Sequence, residues 1–249
     1  MNNFLYLVPS MFTSVNIFCG FYSIIMSLNG NFESASWLII LAIVADGLDG
    51  TFARLTKTQD FFGAEFDSLA DLVSFCLAPM ILLYRLILSS YGSSGMLVAF
   101  VYVLFGAIRL AKYNVSVIKE KRNIFFEGLP TPAAAGVMVS VGLLLSTIGK
   151  EYFGKKNVFL ITVPFILKFL PVIVLTTAFL MITKLRYVSF SRLRLSGKIT
   201  LRLFTIIIGI LLLVFSYPEN TIFLLFSIYV LSGLIDYLAR IYKMRFSKK

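Results

Sequence analysis

Six of the chain's twelve acidic residues fall within one short stretch: Asp46, Asp49, Asp60, Glu65, Asp67 and Asp71. Asp46 and Asp49 are three apart, and Asp67 and Asp71 are four apart. On helices, each pair shares a face. The runs on either side are apolar enough to be membrane helices. A charge at the bilayer centre costs about 2.5–3.5 kcal/mol even on lenient insertion scales, so four carboxylates beside hydrocarbon call for a cation. Hard oxygen ligands suit Mg²⁺, Mn²⁺ or Ca²⁺ and do not suit zinc. Four acids exceed the charge of one divalent ion, which makes two ions plausible. Paired ions are the usual clamp for displacement at phosphorus. Asp60 and Glu65 fall outside this spacing and are expected to face water.

Small residues separate the acids: Gly47, Gly50, Ala53 and Gly63. Glycine costs about 1 kcal/mol in a helix relative to alanine. Two readings explain it: close approach of a bulky or phosphorylated ligand, or tight helix–helix packing. Arg54 can pair a phosphate or mark the membrane boundary. The chain has no histidine. Histidine nucleophiles, bases and metal ligands are therefore excluded, and chemistry must run on carboxylates, Lys/Arg, hydroxyls and metal.

The elements that must carry these residues are membrane helices. The 249-residue chain is 59% hydrophobic, with a mean hydropathy of +0.90, against the roughly 45–50% apolar content of a soluble domain. We expect an all-α, polytopic transmembrane helical bundle forming a single integral-membrane domain over 1–249. About eight helices are expected, at 10–29, 34–55, 67–90, 95–114, 130–148, 157–183, 199–216 and 219–242. No cleavable signal peptide is evident at the start. The net charge of +11 reads as the positive-inside bias of membrane loops, and no nucleic-acid partner is expected. Cys19 and Cys76 are expected to pack inside helices.

Loop charge sets the expected orientation. Lys and Arg collect in the 54–67, 109–129 and 184–202 connections and in the tail, which are alternate connections. Both termini and the acidic stretch should then be cytoplasmic, with Lys150, Lys155 and Lys156 as an exception on the outer side. The 184–202 connection and the tail read as anchors for anionic lipid. Arg85 and Lys168 are expected to snorkel.

The pattern D-x2-D-G-x2-A-R-x8-G-x3-D-x3-D is met at every fixed position, by Asp46, Asp49, Gly50, Ala53, Arg54, Gly63, Asp67 and Asp71. It resembles the signature of the CDP-alcohol phosphotransferases. The flanks resemble the serine-using members of that family. These flanks are Pro9–Gly20, the run after Asp67, Ile108–Asn114 and Glu127–Ala135. The resemblance covers residues 5–140 and implies several expectations. The fold would be a six-helix catalytic core over about 5–183, with additional C-terminal helices over about 199–242. The reaction would transfer the phosphatidyl group of CDP-diacylglycerol to L-serine, releasing CMP with the help of Mg²⁺ or Mn²⁺. Asp46, Asp49, Asp67 and Asp71 would hold metal, with Asp71 also the base on the acceptor hydroxyl. Thr13, Gly50, Ala53, Arg54 and Gly63 would border the CDP-lipid. The protein would be a homodimer.

A serine hydroxyl is a poor nucleophile at neutral pH, so a nearby carboxylate must take its proton. Free serine also carries a carboxylate, for which a guanidinium is the natural partner. Arg109 is the first candidate, with Lys112 and Asn114 beside it. The other reading makes Arg109 and Lys112 positive-inside anchors. Two rival functions stand beside serine transfer. One is a sister enzyme that uses glycerol 3-phosphate or inositol phosphate, which should demand more converging Lys/Arg. The other is a cation transporter, which would need acids near the midplane on a through-path.

Overall fold

The computed structural model describes residues 3–56, 61–118, 126–152, 156–183, 185–187, 209, 212–213 and 216–246. Among them, α1 (Asn3–Leu28) and α2 (Phe32–Thr56) form an antiparallel hairpin. Its turn is Asn29-Gly30-Asn31, with Gly30 at φ 79° and the Gly30 N–H bonded to the Ser27 carbonyl. That left-handed position is the usual glycine stop for a helix. The Asn31 carbonyl accepts from the Ala35 N–H and so opens α2. Many of the hairpin's buried residues are small: Cys19, Ser23 and Ser27 on α1, and Ala35, Ser36, Ala42 and Ala45 on α2. Ser23 Oγ donates to the Ala35 carbonyl at 2.8 Å. Small residues let membrane helices approach closely. The buried stripe Ala35, Ile39, Ala42 runs on to Asp49, so the packed face of α2 ends at an acid.

The next span has three parts. α3 (Phe61–Asp71) runs into a π-helical segment (Leu72–Leu77), which runs into α4 (Ala78–Leu86). The cause is Pro79, which has no N–H to give the Phe75 carbonyl four residues back. The ladder shifts register: the Ala78 N–H reaches the Val73 carbonyl, five back. The Tyr102 hydroxyl approaches the Phe75 carbonyl at 3.4 Å. A freed carbonyl inside a membrane needs such a partner.

A short 3₁₀ turn (Leu88–Tyr91) leads through Gly92, at φ 56°, into α5 (Gly92–Ile118). α6 (Thr131–Tyr152) is the central helix, buried almost without break from Ala133 to Leu143. Two of its glycines sit at crossings. A Cβ on Gly142 would strike Leu82 of α4, and one on Gly136 would overlap the Phe226 ring. α7 (Lys156–Ile182) packs on α5, where Phe105 and Phe179 meet edge to face. α8 (Pro218–Phe246) carries Phe226 and packs on α6.

Two short strands, β1 (Phe126–Glu127) and β2 (Arg186–Tyr187), pair antiparallel. They strap the start of α6 to the end of α7. Gly128, at φ 83°, donates to the Leu185 carbonyl at 2.8 Å, and Leu129 donates to that of Leu180 at 3.0 Å. A side chain on Gly128 would collide with the Met181 carbonyl. Tyr187 is fully buried against Gly233 of α8, and burial pushes its phenol up to about 12.

The chain is thus an all-α membrane bundle, with seven long helices among the described residues when α3, the π segment and α4 are counted as one, four of them long and apolar enough to cross a membrane. Phe62–Leu86 alone gives an apolar run of 25 residues. The helix expected at 67–90 starts earlier, at Phe61, because the acidic motif is itself helical. The eighth helix, expected at 199–216, lies almost wholly outside the described residues, as does most of the basic 184–202 connection.

Candidate functional site

α2 delivers Asp46 and Asp49 a few turns before its end at Thr56. α3 delivers Asp67 and Asp71 on the antiparallel span. Asp46, Asp67 and Asp71 each present a carboxylate oxygen within 4.8 Å of the other two. Asp67 Oδ1 is buried and, among the described residues, has no hydrogen-bond partner. Asp49 is 6% exposed and accepts a hydrogen bond from the Thr13 hydroxyl of α1. It still lies in the electrostatic field of both Asp46 and Asp67. Like charges this close repel strongly in a poorly solvated pocket. A hard cation both relieves that repulsion and uses the orphaned Asp67 oxygen, so the residues present fit divalent metal.

The expected convergence therefore holds in a particular form. Three aspartates meet at one point, and the fourth is braced beside them by Thr13. Gly47 and Gly50 are exposed, and a methyl on either would meet nothing within 4 Å among the described residues. Of the two explanations for these glycines, helix packing finds no neighbour there, and open space for a ligand remains. Gly63 is half-buried at the start of α3. Ala53 and Arg54 lie on α2, with side chains outside the described residues, and Asp60 lies outside them altogether.

Arg109 of α5 faces the cluster from the opposite wall. Its guanidinium acts electrostatically on Asp71 and Asp46. One terminal nitrogen donates to Thr131 Oγ1 at 3.0 Å, at the first residue of α6. Its Nε is buried without a hydrogen-bond partner among the described residues. A snorkelling anchor ends in water, whereas this half-buried side chain is bonded to Thr131.

Lys112 and Asn114 are placed differently from Arg109. Lys112 is exposed. Asn114 ties α5 to α3, accepting from Ser68 Oγ at 3.0 Å and donating to Glu65 Oε2 at 3.1 Å. Glu65 is therefore half-buried and bonded, not simply facing water. Cys19 and Cys76 are buried free thiols, as packing residues should be.

Sequence reasoning assigned no role to two residues that the structure brings in. Asn16 of α1 is fully buried, and its Nδ2 donates to Asp71 Oδ1 at 3.3 Å. Thr131 is the partner of Arg109. The available signal was a polar residue on an otherwise apolar helix face: Thr13 and Asn16 are three apart and share one.

The CDP-alcohol phosphatidyltransferase family model matches residues 6–182, which contain this whole cluster. The chain belongs to the CDP-alcohol phosphatidyltransferase family. Among curated proteins, it is 38% identical to a CDP-diacylglycerol–serine O-phosphatidyltransferase of Helicobacter pylori, over 99% of this chain and 97% of that one. A protein of the same name from Bacillus subtilis is 34% identical over 58% of this chain and 84% of its own length. An archaetidylserine synthase of Methanothermobacter thermautotrophicus is 38% identical over 51% of this chain and 54% of that one. The family match ends at the end of α7, so α8 lies beyond it, whereas the Helicobacter protein aligns over nearly the whole chain.

Proposed function

We propose that this membrane transferase makes phosphatidylserine and CMP from CDP-diacylglycerol and L-serine. The observation that carries this is a carboxylate cluster suited to metal with, in its electrostatic field, a half-buried arginine whose Nε has no partner among the described residues. The near-full-length similarity to serine transferases supports the choice of acceptor.

Asp46, Asp49, Asp67 and Asp71 would hold one or two divalent ions, Mg²⁺ or Mn²⁺, with Ca²⁺ the alternative, and the metal would supply polarisation of the pyrophosphate and stabilisation of departing CMP. The nucleotide lies over the open backbone at Gly47 and Gly50. Thr13, Ala53, Arg54 and Gly63 border it. Asp71 accepts the proton of the serine hydroxyl. The serine oxygen then bonds to the lipid-linked phosphorus as the bond to CMP breaks, in one displacement. Arg109 receives the serine carboxylate through Nε, while Thr131 fixes its other end. Lys112 serves at most as an outer attractor, and Asn114 acts as a brace.

A phosphorylated acceptor would need more converging cations than this pocket offers among its described side chains. We place the site and both termini on the cytoplasmic side, on the strength of the Lys/Arg-rich alternate loops. We also place the chain in a homodimer on the strength of the family resemblance.

Asp71→Asn tests the assignment of the base. The variant keeps the shape and one acceptor oxygen but not the charge or the basicity. Transfer should fall by about 10²–10⁴-fold, the usual contribution of a general base, while CDP-diacylglycerol still raises the unfolding midpoint. Undiminished transfer would refute Asp71 as the base.

A further inference from the structure

Two buried polar atoms that have no hydrogen-bond partner among the described residues flank Asp71, and they are of opposite kinds. Arg109 Nε is an unused donor. Asn16 Oδ1 is an unused acceptor on a side chain with no exposed surface. A buried acceptor left unpaired carries a desolvation penalty, so a native structure that keeps one in place calls for an explanation.

Asn16 is held on two sides. Its backbone carbonyl accepts from Ser74 Oγ at 2.8 Å, and its Nδ2 donates to Asp71 Oδ1 at 3.3 Å. Ser74 and Asp71 lie one helical turn apart where α3 enters the π segment, so one turn of that span grips Asn16 by backbone and side chain together. Gly20, one turn further along α1, lets the two helices come this close. The amide can therefore neither swing out to solvent nor turn away from Asp71.

With Nδ2 on the Asp71 carboxylate, Oδ1 lies one amide width away. This inference rests on the reading of serine as acceptor. A serine whose hydroxyl donates to Asp71 carries its ammonium on the neighbouring carbon, within reach of that oxygen. Its carboxylate extends from the same carbon toward Arg109. We infer that Asn16 is a specificity residue whose Oδ1 receives the acceptor's ammonium group, while its Nδ2 holds Asp71 in position. The pocket then reads a zwitterion at three points: hydroxyl at Asp71, ammonium at Asn16 and carboxylate at Arg109. Alcohols lacking an amine leave Oδ1 unpaired, which is the strongest form of discrimination available to a buried polar site.

The test compares L-serine with 3-hydroxypropionate, which keeps the hydroxyl and the carboxylate and has no polar group in place of the ammonium. Asn16→Leu keeps the volume and removes the acceptor. Asn16→Ser keeps a small polar group and serves as the milder second variant. Both are checked for binding by the melting shift that CDP-diacylglycerol produces. In wild type, kcat/KM for serine should exceed that for 3-hydroxypropionate. In Asn16→Leu the ratio should fall about tenfold or more, the scale of a lost hydrogen bond to a charged group. Asn16→Ser should fall between, and KM for CDP-diacylglycerol should stay within about twofold. A merely structural role lowers both acceptors together, so an unchanged ratio in both variants overturns the inference while leaving serine transfer intact. A wild-type protein that releases no CMP with serine overturns the serine reading and this inference with it.

Discussion

Gly20→Ala probes how tightly the helix carrying Asn16 must sit against the helix carrying Asp71. A Cβ at Gly20 would lie 2.7 Å from the Ser74 Cα and would overlap the Ser74 hydroxyl. Ordinary contact begins near 3.4 Å, so α1 and the π segment must separate by about 0.7 Å. The obstacle is backbone and cannot rotate away. Overpacking of this kind costs about 1–3 kcal/mol, which lowers the unfolding midpoint. The larger effect is catalytic. Asp71 is one turn from Ser74, and Asn16 is one turn from Gly20, so the displacement passes directly to the base and its partner. Misplacement by about 1 Å costs on the order of 10²-fold in rate. We therefore expect kcat to fall by roughly 10–100-fold. KM for CDP-diacylglycerol should change little, because the open face of α2 is not touched. The assay is CMP release in detergent–lipid micelles at saturating serine, beside thermal unfolding of the same preparation. Wild-type kcat with an unshifted midpoint would refute the close crossing, and with it the claim that packing on α1 positions Asp71.

Two further outcomes follow from the same geometry. Gly50→Ala adds a methyl where the described residues leave 4 Å clear, so the ligand-free protein should be no less stable, and helix propensity favours alanine by about 0.8–1.0 kcal/mol. If the clearance belongs to the nucleotide, KM for CDP-diacylglycerol rises about tenfold, as expected for the loss of about 1.4 kcal/mol of binding. Unchanged KM would return Gly50 to the packing explanation. Chelator treatment should abolish CMP release and lower the unfolding midpoint. Mg²⁺ or Mn²⁺ should restore both, and zinc should not, since the donors are all hard carboxylates. Activity that survives thorough chelation would remove metal from the account.

The four aspartates were legible because charge is costly in a bilayer and because spacings of three and four place charges on shared helix faces. The hairpin of α1 and α2 was legible from the two successive apolar runs expected as helices at 10–29 and 34–55. Other features depended on contacts between distant segments. Asn16 looks like any polar residue in a membrane helix until α1 is packed on α3. The π segment follows from Pro79, yet its partner, the Tyr102 hydroxyl, comes from the next span. Arg109 fits both the anchor and the site reading by spacing alone. Its bond to Thr131 and its field on Asp71 are what favours the site reading in the fold. Asn114 was grouped with Arg109 by proximity in sequence, but its amide turns to Glu65 and Ser68. Adjacency along a helix does not decide which neighbouring helix a side chain meets.

The most direct measurement is product formation by the purified wild-type protein with CDP-diacylglycerol, Mg²⁺ or Mn²⁺, and a panel of acceptors: L-serine, glycerol 3-phosphate, inositol phosphate and none. The account predicts CMP and phosphatidylserine in equal amounts with serine and negligible CMP with the others. CMP release that prefers a phosphorylated acceptor, or proceeds equally without serine, would contradict it.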